Sequence, residues 1–295
     1  MQPTCKQGQV EMKRTFYRLR VLKWSASAVA GLIIVILVTA CAIFAPWISP
    51  YGPNDTDLYA ALKPPEGKHL LGTDKLGRDV MSRIIWGARV SLEVGIIAVG
   101  IGMIAGVFFG LVGGYYGGML DMAIFSIMDL LLSFPSILLA IAIVATLGPG
   151  IVQVMVAVGI SMIPRFARVT RGSVLSLREQ YFIIAEKGVG ASNAYILIRH
   201  ILPNVLTPII VLATLNCAFA ITMEAGLSFL GIGIQPPDPT WGTILSDGRE
   251  SIRTGYWIST FSGLAITLTV LGFNLFGDGL RDMLDPKTRS MIQSK

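Results

Sequence analysis

A chain of 295 residues that is 53% hydrophobic and only 14% charged carries far fewer charges than the ~25% of a soluble domain. That balance, with a mean hydropathy of +0.66, sets aside a large soluble core and points to an all-α, polytopic membrane protein. The net charge of +6 does not point to nucleic acid, because the cations fall between apolar runs rather than in a basic stripe interleaved with exposed aromatics.

The N-terminal tail, residues 1–23, carries Lys6, Lys13, Arg14, Arg18, Arg20 and Lys23 against the single acid Glu11. From Trp24 to Ile48 there is no charge, and at ~1.5 Å per residue this run crosses a ~30 Å hydrocarbon core with length to spare. The cations ahead of it keep that end in the cytoplasm. Val38-Thr39-Ala40-Cys41 resembles a lipoprotein cleavage box. The apolar run continues to Ile48, past a signal core of about 7–15 residues, so a span is the preferred reading.

Residues 49–89 read as an external segment rich in Pro, Gly, Asp and Asn. Asp74, Arg78 and Asp79 lack a histidine or third carboxylate at ligand spacing, so a structured turn with local ion pairs is preferred over a metal or catalytic cluster. From about residue 90 to 280 five further spans are expected. The second, about Val94–Val112, carries Gly102, Gly106, Gly110 and Gly114, with Ala98 one step earlier. Small residues every four positions leave a groove for a second helix. The third runs from Asp121 to Leu147 and carries Pro135, a candidate kink. Asp129 lies inside it. An acid at membrane depth marks a functional site by default, but pairing at the cytoplasmic interface is the plainer reading. Gly148-Pro149-Gly150 is an external turn. The fourth span, from Ile151, continues past Arg165 if its arginines snorkel.

The cytoplasmic loop, about 165–203, is a polar island holding Arg165, Arg168, Arg171, Arg178, Lys187 and Arg199. Gly188 and Gly190 break the preceding helix. Ala191, Ala194, Tyr195, Ile198 and Ile201 then recur as one face of a short helix, with Ser192 or Asn193 as its N-cap. Pro203 stands at the foot of the next apolar run. A short helix with one apolar face, tethered to the membrane at both ends, suits docking to a partner. The plainer alternative is an ordinary surface loop. The fifth span begins near Asn204 and ends before Glu224. The external loop, about 224–257, holds prolines that exclude a continuous helix, and Trp241, Tyr256 and Trp257 suit a membrane interface. The sixth span is about Ile258–Phe276, and 281–295 is a basic cytoplasmic tail. The expected cytoplasmic segments hold about twice the Lys and Arg of the external ones, as the positive-inside bias requires.

Four motifs carry a family resemblance. Gly190, nine residues, His200, then Ile201-Leu202-Pro203 resembles the coupling-loop motif of ABC importer permeases. The positions of its Glu-Ala-Ala are Ile184-Ala185-Glu186 here, so the first glutamate is absent, and His200 stands where the motif has isoleucine. Gly72-Thr73-Asp74 with Gly77-Arg78-Asp79, the stretch Glu224–Gly242, and the C-terminal Asn274–Lys287 resemble the dipeptide, oligopeptide and nickel class of these permeases. The resemblance implies a six-span, type I importer fold in the cytoplasmic (inner) membrane with both termini cytoplasmic. It implies a homologous second permease subunit, two cytoplasmic ATPase subunits and an extracytoplasmic solute-binding protein. Ala185, Glu186, Gly190, Arg199, Leu202 and Pro203 are the implied ATPase-coupling residues. At Gly190 a β-carbon would clash if the backbone is left-handed.

The chain has no phosphate loop, no nucleophile elbow and no His-Glu-x-x-His pair. No catalytic residue, metal or cofactor is expected, so uphill transport would draw its energy from a partner or an ion gradient, and the resemblance implies ATP hydrolysis on separate partner subunits. Cys5, Cys41 and Cys217 have no near neighbour at ligand or disulfide spacing, and His69 and His200 lie far apart in sequence. Among solutes, di- or oligopeptides lead, with nickel or glutathione as alternatives within the class. A secondary transporter, or a membrane assembly protein with no transport role, stays open at this stage.

Overall fold

The computed structural model describes residues 25–284. Cys5, the basic tail 1–23 and residues 285–295 lie outside the described residues, as do the expectations placed on them. Among the described residues nine helices carry the fold: α1 (Ala26–Ile43), α2 (Val80–Tyr116), α3 (Gly118–Ser133), α4 (Ser136–Leu147), α5 (Ile151–Arg178), α6 (Tyr181–Gly188), α7 (Asn193–Phe229), α8 (Trp241–Glu250) and α9 (Tyr256–Leu284). Five of them are long and apolar enough to cross a membrane, and α3 with α4, bent by 94° at Phe134-Pro135, makes a sixth crossing if the pair counts as one. The bend is sharper than a kink. Phe134 and Pro135 both leave the helical region, as a residue and the proline after it tend to do.

The core is the contact between α2 and α5, and four glycines set its distance. A β-carbon on Gly102, Gly106, Gly110 or Gly114 would meet the Cβ of Met162, Phe166, Thr170 or Val174 at 2.8, 2.5, 2.5 and 3.0 Å. The period is four residues on both helices, so two backbones lie against each other over three turns. In a bilayer, where apolar burial between helices drives little, such close packing supplies the attraction. Around this pair Met162, Phe166, Val154, Ile183, Ile196, Ile201 and Leu227 are buried. The helices α1 and α9 meet by the same device, since Gly31 abuts the backbone of Phe276 and Gly279 abuts Ala28.

Several helices exceed the sequence expectation. α2 begins at Val80 rather than near Val94, because Asp79 caps it by accepting from the Ser82 amide at 2.8 Å. α5 runs past Arg165, as its sequence led one to expect, and ends at Arg178. α7 does not stop before Glu224 but reaches Phe229. Glu224 is fully buried, accepting hydrogen bonds from Ser91 Oγ at 3.1 Å and Ser228 Oγ at 2.9 Å. It is therefore a core residue and not an interfacial one. Trp241 and Trp257 are also core residues, at 2% and 6% exposure, while Tyr256 is exposed. Each indole finds a backbone acceptor inside: Trp241 donates to the Ile84 carbonyl and Trp257 to that of Thr73. A satisfied N–H removes the reason to sit at a wet boundary.

The turn at Asp74–Asp79 is the ion-pair structure its sequence suggested. Asp74 accepts from Arg78 Nε at 2.6 Å and Arg83 Nη1 at 3.0 Å, and both guanidiniums also reach Asp247 on α8, at 3.1 and 3.4 Å. Burial pushes the Asp247 carboxyl up, against the pull of Arg78 and Lys75. His69 Nδ1 lies 2.9 Å from Asp79, a contact that ten residues of separation hid in the sequence. No group of three metal-ligating side chains occurs among the described residues.

Candidate functional site

At the end of the bundle opposite α8, the chain from Tyr181 to Pro203 forms a helix, a glycine turn and a second helix. α6 closes with the hydrogen bonds of a Schellman cap. The Ala191 amide donates to the Glu186 carbonyl and the Gly190 amide to the Lys187 carbonyl, both at 3.1 Å. That cap requires a left-handed residue between them. Gly190 supplies it with φ of +83°. No atom lies within 4 Å of a β-carbon added there. The penalty for a side chain at Gly190 is thus its own backbone strain and not a collision with a neighbour, which narrows the sequence reading.

Ser192 then caps the next helix, its hydroxyl accepting from the Tyr195 amide at 3.3 Å. This helix is not separate. It runs through a wide π segment, Ile196–Ile201, straight into the apolar part of α7. Pro203 follows the wide turn, where the looser ladder accommodates a ring and a missing N–H. The segment after Gly190 is thus the first turns of a membrane-length helix, Asn193–Phe229, rather than a separate short one, and that helix also carries Pro208 in its interior.

Of the six residues singled out, Ala185, Gly190, Arg199 and Pro203 are exposed, and Glu186 and Leu202 are half-buried. Glu186 Oε1 stands 3.4 Å from His200 Nε2 across the turn, an ion pair when the ring is protonated. The ring of His200 also meets that of Tyr195 edge-on at 5.4 Å. Two anchors fix the turn to α2: Lys187 lies over the Tyr115 ring at 5.0 Å, and the Tyr115 hydroxyl donates to Asn193 at 2.8 Å. Sequence reasoning missed Tyr115, which sits far away in the chain next to an unremarkable glycine turn. Ile183, Ile196 and Ile201 point inward and are buried, whereas Tyr181, Ile184, Val189, Tyr195 and Ile198 stand 50–90% exposed. Apolar side chains gathered at a polar helix end make this a candidate interaction surface.

The cations of the polar island divide between two places. Lys187 and Arg199 belong to the turn. Arg165, Arg168, Arg171 and Arg178 belong to α5. Arg171 forms a double contact with Asp121, at 2.7 and 2.5 Å. Arg168 pairs with Asp129 at 2.7 Å, so Asp129 finds its partner on the neighbouring helix.

Residues 98–290 match the family described as the binding-protein-dependent transport system inner membrane component, and residues 17–65 match the N-terminal TM domain of oligopeptide transport permease C. The chain belongs to this family of transport permeases. It is 49% identical to a dipeptide transport system permease protein of Alkalihalophilus pseudofirmus over 91% of this chain and 88% of the relative. It is 45% identical to a glutathione transport system permease protein of Pectobacterium atrosepticum over 94% and 92%. The fold is also that of an inward-facing structure of the MetNI methionine ABC transporter, with a TM-score of 0.56 over 69% of this chain and 96% of that one, at 19% identity. The chain is a multi-pass permease subunit of an ABC importer.

Proposed function

We propose that this permease forms half of a translocation pathway for di- and oligopeptides in the cytoplasmic membrane, with both chain ends cytoplasmic. In this reading it pairs with a second, homologous permease, receives solute from an extracytoplasmic binding protein, and is driven by two ATPase subunits. The chain itself performs no catalysis. The observation that carries the reading is the turn at Gly190. Its exposed apolar side chains offer a seat for another protein, and the helix after it is continuous with α7. A push on Asn193–Ile198 therefore reaches membrane depth along one continuous helix. ATP binding would close the ATPase pair, the push would tilt α7, and the pathway would alternate between outward and inward openings. Ala185, Glu186, Gly190, Arg199, Leu202 and Pro203 are the coupling residues in this account, with Tyr115 holding the turn in place. The relatives' names support peptides first and glutathione second.

Uptake of a labelled dipeptide into membrane vesicles containing this chain and its partners tests the reading. Uptake is expected to require ATP, to survive a protonophore, and to be displaced by unlabelled dipeptide more strongly than by glutathione or a nickel chelate. Uptake that collapses with a protonophore yet survives ATP depletion would return the chain to the secondary transporters.

A further inference from the structure

On α5, exposure has an unusual pattern. From Gln153 to Pro164 no residue is exposed, and then Arg165, Arg168, Gly172, Ser176 and Glu179 are exposed at three- and four-residue steps. One face of the helix thus opens at Arg165, and everything on it is polar or small. Arg165 is 14 residues from Ile151 and 13 from Arg178. At ~1.5 Å per residue that places it about 21 Å along a span whose hydrocarbon depth is ~30 Å. Lipid does not cover such a face, because a guanidinium against hydrocarbon is costly and membrane arginines turn to protein or water instead. Such a face is suited to a polar space rather than to lipid. A cavity of about 370 Å³, lined by Phe125, Asp129, Arg168, Arg171 and Gly172, occupies its continuation.

The three arginines along this stretch differ in their partners. Arg171 and Arg168, nearer the Arg178 end, each hold a carboxylate from α3. Arg165, the deepest, has none within ion-pair distance among the described residues. Its Nη1 donates to Asn216 Oδ1 at 3.3 Å, and its guanidinium lies over the Phe219 ring at 5.0 Å. Asn216 is 2% exposed, and its own amide donates to the Leu212 carbonyl at 2.7 Å, which turns the oxygen toward Arg165. A neutral amide and an aromatic face position the cation without neutralising it. A guanidinium offers five N–H donors in a planar fork that matches a carboxylate, and only one is engaged here. A positioned and uncompensated cation on a polar, exposed face at membrane depth is a receptor for an anion.

Resting on the peptide reading above, we propose that Arg165 reads the free C-terminal carboxylate of a short peptide as it passes through the pathway. Asn216 and Phe219 act as positioning residues. The guanidinium exchanges water for a bidentate contact with the carboxylate, and the contact is remade and broken once per transport cycle.

The test uses the complete permease–ATPase complex, without binding protein, in nanodiscs. Millimolar dialanine should raise the melting temperature of the wild-type complex, dialanine amide should not, and Arg165→Gln should abolish the shift while Arg165→Lys keeps part of it. In vesicles with binding protein present, Arg165→Gln should lower the maximal uptake rate of dialanine about tenfold, the scale of one charge-assisted contact. The half-saturating concentration, set by the binding protein, should hold. Equal shifts with acid and amide, a shift that survives Arg165→Gln, or no shift in wild type would each overturn the proposal. So would loss of the second permease from the Arg165→Gln complex, which would identify a subunit ion pair. Failure of wild-type dipeptide uptake defeats the peptide reading itself, whereas normal uptake with no Arg165-dependent binding defeats only this inference.

Discussion

Two charged clusters in this protein are built to opposite ends. In the first, Asp74, Arg78 and Arg83 are 2%, 6% and 3% exposed and reach across to Asp247 on α8. In the second, Arg168 and Asp129 pair with 55% and 61% of their side chains exposed, and Arg165 beside them has no acid at all within ion-pair distance among the described residues. The closed cluster fixes the Asp74–Asp79 turn against the bundle, and each carboxylate there answers two guanidiniums. The open cluster leaves Arg165 and Arg168 on an exposed face of α5. An ion pair as exposed as Arg168–Asp129 contributes little to stability.

The largest effect is expected at Asp74. Replacing it with alanine leaves two buried guanidiniums to share Asp247, and Asp74→Ala should cost about 3 kcal/mol, the low end for breaking a buried pair from one side. A complex whose detergent melting temperature is unchanged by Asp74→Ala would show that the closed cluster is not structural. Next in size is the helix contact that carries both clusters. Gly106→Ala sets a β-carbon 2.5 Å from Phe166 Cβ and 2.7 Å from the Ile163 carbonyl, and forcing the helices apart should cost about 1–3 kcal/mol. Gly100→Ala, where nothing lies within 4 Å, is the matched control and should be neutral or slightly stabilising. Equal melting temperatures for the two variants would contradict the close-packing account.

Gly190→Ala should cost about 1–2 kcal/mol, all of it from left-handed strain in the turn. The loss should appear as faster proteolysis between α6 and α7 and not as a lower global melting temperature. Smallest of all is Asp129→Asn, which removes an exposed ion pair and should change stability by no more than about 1 kcal/mol. A loss as large as that of Asp74→Ala would erase the distinction between the clusters.

How much was legible in the sequence depends on how local the signal is. The glycine register from Gly102 to Gly114 reads directly because helical packing repeats every four residues on one chain segment. The turn at Gly190 reads because glycine, Ser192 and Leu202-Pro203 carry it within fifteen residues. Pro135 announced a kink but not its size, which depends on Phe134 leaving the helix too. The misplaced residues are those whose partners are remote. Glu224 reads as a loop-edge acid until Ser91, more than a hundred residues earlier, encloses it. Trp241 and Trp257 read as interface residues until Ile84 and Thr73 supply acceptors for their indoles. The extent of α7 was hidden by its own π segment, because Pro203 signals a helix start while the wide turn before it lets the helix continue.

In the proposed mechanism motion enters at the turn around Gly190 and travels along α7. Its most direct test is Gly190→Asp in the reconstituted complex, with membrane insertion, ATP hydrolysis and dipeptide uptake measured on the same preparation. Insertion should match wild type, since the turn is exposed and nothing surrounds the new side chain, and ATP-driven uptake should be abolished. Wild-type uptake by a correctly inserted Gly190→Asp complex would contradict the account.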